Sequence, residues 1–136
     1  MDKYTINTIV CDGHERFANV TDENGIDLNV HFLEYSEYVD NGVSQIKKKG
    51  DRIEGILSVD LVTKSKICND DIMFKQDIES SSHIEAVVDI AEIIDEYSAY
   101  AMTAVTDKPI PIEFESKISY KVNDRIYIEG SLEIHT

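Results

Sequence analysis

The chain has 136 residues and a formal net charge of −14, from 13 Lys and Arg against 27 Asp and Glu. At 42% hydrophobic and 29% charged it can bury one ordinary core or two very small ones in contact. That acidity opposes the phosphate neutralisation on which nucleic-acid affinity rests, and it disfavours an anionic membrane surface as a partner.

The start, "MDKYTINTIVCDG", has no basic stretch followed by an unbroken apolar one, and no apolar run approaches the roughly 20 residues of a bilayer span, so a cytoplasmic chain is expected. Residues 4–11 are rich in β-branched side chains, with Tyr4, Ile6 and Thr8 alternating against Thr5, Asn7 and Ile9, as in a half-buried strand. Asp12-Gly13 is a hairpin turn, 17–21 a short strand, and 21–25 ("TDENG") a second turn. In residues 26–34, Ile26, Leu28, Val30 and Phe32 face one way and Asp27, Asn29 and His31 the other, completing a β-meander. Asp22, Asn24 and Asp27 faintly suggest a calcium loop, but the twelfth position, where a bidentate Glu is needed, is Leu33. A turn is the better reading.

Residues 35–39 suggest a short helix, Asn41-Gly42 a turn, and 51–63 a strand bent at Gly55. Residues 64–82 read as a connector with a short strand at 72–74. Strands are expected again at 100–106, 110–118 and 125–134. Residues 83–96 admit two readings. Glu85, Asp89, Glu92 and Glu96 form a helical stripe behind a Ser82/Glu85 capping box, which would give an α+β fold. Against this, Ile84, Val87, Val88, Ile90, Ile93 and Ile94 are β-branched, and Ile84, Ala86, Val88 and Ile90 fit a two-residue period.

An internal echo favours the strand. "KKGDRIEGILSVDL" (48–61) and "KVNDRIYIEGSLEI" (121–134) both run through Asp-Arg-Ile to Ile-Glu-Gly or its near equivalent and a Leu. Aligning Ile26 with Ile110 and Gly55 with Gly130 leaves an insertion of about nine residues near 35–49 in the first half. If 84–94 corresponds to 4–11, it is a strand.

The Gly50-Asp51-Arg52-Ile53 and Asn123-Asp124-Arg125-Ile126 turns, followed by Gly55 and Gly130, resemble the turn into the fourth strand of OB-fold proteins, which are small Greek-key barrels. The resemblance implies a mainly β fold, OB-like antiparallel barrel or barrels from two related halves, with at most one or two short helices. The halves would be 1–66 and 83–136, joined by a connector at 67–82 and packed as one unit. It also implies an exposed face able to bind single-stranded nucleic acid or a small ligand, here through Lys47, Lys48, Lys49 and Arg52 with nearby tyrosines.

The charge argues for a different use. Residues 67–136 hold 5 Lys and Arg against 15 Asp and Glu, whereas 1–66 hold 8 against 12. The leading expectation is therefore a non-catalytic binding protein whose acidic surface docks a basic protein partner, as small acidic immunity or antitoxin proteins mask cationic nucleases. Glu85, Asp89, Glu92, Asp95, Glu96, Glu113 and Glu115 are the candidate steering surface. No nucleophile elbow, P-loop or HExxH is present, so no enzyme, metal or cofactor is expected. Cys11 and Cys68 read as buried, reduced thiols.

Overall fold

A computed structural model describes residues 2–34, 39–40, 43–44 and 47–136. These residues form eleven strands and no helix: β1 (Asp2–Asp12), β2 (Glu15–Thr21), β3 (Asp27–Leu33), β4 (Val39–Asp40), β5 (Val43–Ser44), β6 (Arg52–Ile67), β7 (Met73–Lys75), β8 (His83–Asp95), β9 (Ser98–Met102), β10 (Ile110–Phe114) and β11 (Arg125–His135). Residues 83–95 are thus a strand, and the α+β alternative falls. The helix expected at 35–39 and the turn at Asn41-Gly42 lie outside the described residues, except that Val39 belongs to β4.

Nine strands form one sheet whose pairings close on themselves twice. In the first ring β1 pairs with β2, β2 with β3, β3 with β11, β11 with β6, and β6 with β1. In the second, β8 pairs with β9, β9 with β10, β10 with β6, β6 with β11, and β11 with β8. The long strands β6 and β11 belong to both rings. The sheet is mixed rather than antiparallel, since β3–β11 and β10–β6 run parallel. Each parallel contact joins the third strand of one half to the last strand of the other. Parallel neighbours cannot be joined by a hairpin, and here each pair comes from segments distant in the chain.

The pairing scheme repeats in its details. Ile6 donates its N–H to the Asp51 carbonyl and accepts from Gly50; Ile90 donates to the Asp124 carbonyl and accepts from Asn123. Each turn is closed from within, the Asp51 and Asp124 carboxylates accepting the N–H of Lys48 (2.9 Å) and Lys121 (2.8 Å). Gly50 (φ 89°) and Asn123 (φ 74°) fill the same left-handed position, which glycine enters freely and asparagine tolerates. A bulge interrupts β1–β2 between Ile6 and Thr8, and another interrupts β8–β9 between Ile90 and Glu92. The β1 bulge explains why the simple alternation fails there: Tyr4 and Ile6 are buried, but beyond the bulge Ile9 turns toward the core and Thr8 away.

One contiguous apolar core runs through both rings. Ile6, Ile53, Ile84, Ile90, Ile112, Ile126, Ile128 and Leu132 are each under 2% exposed, and burying such a side chain stabilises by roughly 1.5–3 kcal/mol. Gly55 and Gly130 permit the long strands to cross. A Cβ at Gly55 would stand 2.5 Å from Ile134 Cγ2, and one at Gly130 would stand 2.8 Å from the Asp60 carbonyl oxygen. The two glycines are not register equivalents, because they follow Arg52 and Arg125 by three and five residues. Each marks a different point of close approach.

Several boundaries moved. β6 continues to Ile67 because residues 64–67 pair with 126–129 of β11. β9 ends at Met102 and β10 at Phe114, after which Ile118 and Tyr120 pack against the core from a loop. Ile26 lies before β3 and is 40% exposed, outside the buried row of Leu28, Val30 and Phe32. Asp22 spends its carboxylate on the N–H groups of Asn24 and Ile26, as a turn requires. Cys11 is exposed rather than buried, Cys68 is half-buried, and both are free thiols.

Candidate functional site

The seven predicted carboxylates divide into two groups. Glu85 and Asp89 sit on the half-buried stretch of β8 and are occupied by cations. Asp89 receives both arms of Arg125, at 2.8 and 3.0 Å, and this fork holds its carboxyl below the usual carboxylate range. Glu85 lies 3.0 Å from Lys75 Nζ. Registers across four strands place Lys75, Glu85, Glu129 and Lys64 in one row, so the two facing carboxylates, which would otherwise repel, are flanked by lysines. Desolvation, followed by a hydrogen bond to Glu129, pushes the Tyr127 hydroxyl beside this row up to about 12. His83 joins Glu85 and Glu129, their ligand atoms within 4.8 Å of one another, as a possible cation-binding set. The lysines already balance those carboxylates, and the row reads as a cross-strand charge ladder.

The other five face solvent around the β8–β9 turn. Glu92 pairs in register with Tyr100, and Glu113 with Ser98. Asp95 accepts hydrogen bonds from the Tyr97 N–H and the Ser98 hydroxyl, both at 2.8 Å, which lower its pKa and fix the turn. Glu96 lies 3.4 Å from Lys117 Nζ. Asp95, Glu113 and Glu115 line a shallow depression of about 260 Å³ with Leu61, Tyr97, Ser98 and Phe114.

Apolar groups stand among these charges. Ile93, Ile94, Tyr97 and Tyr100 are 37–46% exposed, and Leu61 is 61% exposed. Leu61 has φ 54°, a left-handed conformation unusual for its type. It arises because Asp60 pairs with Ser131 and Lys64 with Glu129, so that three β6 residues stand against Gly130 alone. The bulge turns Val62 inward and Leu61 out.

The basic set is more scattered. Lys48, Lys49 and Arg52 are exposed, while Lys47 is half-buried. Lys3 joins Lys47 and Arg52 around a depression also lined by Ile53, Glu54 and Thr136, and its ammonium is 3.5 Å from Glu54. Among the described residues, no aromatic side chain lines that depression. Tyr35 and Tyr38, the tyrosines nearest in sequence, lie outside the described residues.

Three features had no place in the sequence reading. Arg16 and Glu34 form an ion pair at 3.2 Å with side chains only 3% and 4% exposed. Arg16 also donates to the carbonyls of Gly13 and Glu15, and both Glu34 oxygens accept the Lys47 N–H, tying together the two ends of residues 35–46. No local pattern predicts that pairing. His31 lies between Glu133 (2.6 Å) and Glu15 (3.2 Å), bridging the single-residue parallel contact of β3 with β11. Asn7, Asn19 and Asn29 form an amide ladder on the outer face of β1–β3; alternation places Asn29 there, but not its bonding to the other two.

No family model, curated protein or solved structure gives a significant match to this chain.

Proposed function

We propose that the chain is a non-catalytic binding protein that docks a basic protein partner on the outer face of its second ring. The observation that carries this reading is the mixture on that face. Leu61, Tyr97 and Tyr100 offer apolar anchors, and Glu92, Glu113 and Glu115 surround them with charge. An interface of this composition places its binding energy in aromatic and aliphatic centres, while the acidic rim accelerates encounter with a cationic surface. An inhibitor of a cationic nuclease is one occupant such a face suits. Glu85 and Asp89 drop out of the steering set because Lys75 and Arg125 already balance them.

The presence of five strands in each ring supports the OB resemblance, an OB barrel having the same number. It does not favour nucleic acid, because the lysine cluster lacks both a continuous groove and a stacking ring among the described residues.

The test is calorimetry against each basic protein encoded beside this chain's gene, at low and high salt. Binding that weakens steeply with salt, and at least tenfold with Glu113→Lys/Glu115→Lys or with Leu61→Asn, is the expected result. Asparagine tolerates the left-handed backbone, so the last variant removes the anchor without straining the bulge. Affinity indifferent to salt and to both variants would overturn the reading. Labelled single-stranded DNA and RNA are expected to show no anisotropy change at micromolar protein.

A further inference from the structure

A further pocket lies on the first ring, away from the acidic face. It has a volume of about 340 Å³, at the lower end of small-molecule sites, and is bounded by the outer faces of β1, β2 and β3 on one side and by residues 79–81 on the other. We propose that it binds a small, uncharged, polyhydroxylated ligand of the size of a saccharide unit.

Two of its lining residues, Asn19 and Asn29, end a polarised ladder of amides that begins at Asn7. Asn7 Nδ2 donates to Asn19 Oδ1 at 2.9 Å and to the Thr21 hydroxyl at 2.7 Å, and Asn19 Nδ2 donates to Asn29 Oδ1 at 3.0 Å. Donation runs one way, from β1 to β3. The last amide nitrogen, Asn29 Nδ2, donates to no described residue, so the ladder ends on two fixed N–H groups at the pocket. Successive amide bonds polarise one another and hold that donor in place before any ligand arrives.

Beside the ladder lie Phe17, an aromatic surface for the C–H face of a ring, and the Thr8 hydroxyl. Across from it stand the Glu79 carboxylate, which forms no ion pair with a described residue, and Ser80. Donors on one wall and a carboxylate on the other suit adjacent hydroxyl groups, each of which both donates and accepts. The lining carries one formal charge on a chain of net −14, which suits an uncharged ligand better than a polyanion.

The far wall is held rather than loose. Gln76 accepts the Asn29 N–H at 2.8 Å and donates to the Asn29 carbonyl at 2.6 Å, pinning the segment to β3. Ser81 Oγ then accepts the His83 N–H at 3.1 Å. Between these anchors Ser80 adopts φ 58°, a conformation uncommon for serine. The equivalent row of the second ring, Glu92, Tyr100 and Pro111, has no amide ladder.

Saturation-transfer NMR on the intact chain, with a panel of neutral mono- and disaccharides and with cadaverine and inorganic phosphate as charged comparators, tests the assignment. Transfer to at least one sugar is expected, reduced at least fivefold by Phe17→Ala, by Asn29→Asp, which keeps the shape and removes the donor, and by Glu79→Gln. Each variant is compared only if its thermal transition stays cooperative; the exposed Glu79 serves should the strand variants unfold. Silence from every sugar at millimolar ligand, signals unchanged in all folded variants, or a response confined to cadaverine or phosphate would overturn the proposal. Glu113→Lys/Glu115→Lys should leave the sugar signal intact, so this result stands apart from docking at the acidic face.

Discussion

At matching positions of the two rings, the first shows solvent Thr8, Asn19 and Asn29, and the second shows Glu92, Tyr100 and Pro111. Beneath these rows the inward residues, the bulge and the closing turn follow the same plan. The difference shows which positions the architecture constrains. Side chains that fill the shared core and residues that enter left-handed turns have few alternatives, whereas outward positions of a closed sheet can change chemistry at little cost to packing. One backbone plan thereby presents an amide-lined pocket on one side and an acidic, apolar face on the other. The rings also differ in how they close after their third strand. Glu34 donates its N–H to the His14 carbonyl and Ile118 donates to that of Glu96, but the first ring adds the buried Arg16–Glu34 pair, while the second packs Ile118 and Tyr120 on its core.

The largest effect is expected from separating those two solutions. Glu34→Ala leaves Arg16 charged and buried, and should lower unfolding free energy in urea by about 3–5 kcal/mol. Replacing both partners, Arg16→Met with Glu34→Leu, should recover most of that loss. A single variant that costs no more than a surface substitution would mean the first ring does not depend on the pair.

Next come the strand crossings. Gly55→Ala and Gly130→Ala should each cost about 1–3 kcal/mol, because backbone carbonyls stand in the way of the new methyl group. A cost at only one glycine would show that the crossings are not equally tight. The turns should then sort by residue type: Gly50→Ala should destabilise by about 1–2 kcal/mol, and Asn123→Gly should be close to neutral. Equal losses at both would break the equivalence of the two turns.

The smallest effect is an acid-side pH dependence at the Asp89–Arg125 pair of the second ring. Asp89 titrates below an unfolded aspartate because Arg125 holds it, so its contribution is fully present above the ordinary aspartate pKa and fades as pH falls through the depressed one. Thr5, which pairs with Arg52 where Asp89 pairs with Arg125, offers no such carboxylate. The acid-side decline in melting temperature should therefore flatten in Asp89→Asn and stay unchanged in Thr5→Val.

How far the chain can be read without coordinates varies by residue. The Asp-Arg-Ile turns were legible because each is local: a left-handed residue, an aspartate capping its own backbone, and an isoleucine that enters the core. The strand at 83–95 was ambiguous because Glu85, Asp89, Glu92 and Glu96 mimic a helical stripe. A bulge after Ile90 produces that spacing by shifting the alternation partway along the strand. For the site, the acidic bias was visible, but its division was not. Glu85 and Asp89 meet their cations only through strand pairings that join distant segments. The exposure of Leu61 leaves no mark in the sequence, because it depends on a bulge opposite Gly130.

The sharing of β6 and β11 by both rings has a consequence for how the protein is made. β11 is the last strand in chain order, and it supplies a neighbour to β3, β6 and β8. Neither ring can close until it has been synthesised, so a growing chain cannot fold one half and then the other as it leaves the ribosome. It must wait, with β3 and β6 presenting unpaired edges, and then assemble in a single slow step governed by long-range pairing. Co-expressed fragments cut within 68–82 should accordingly be recovered as one complex or not at all.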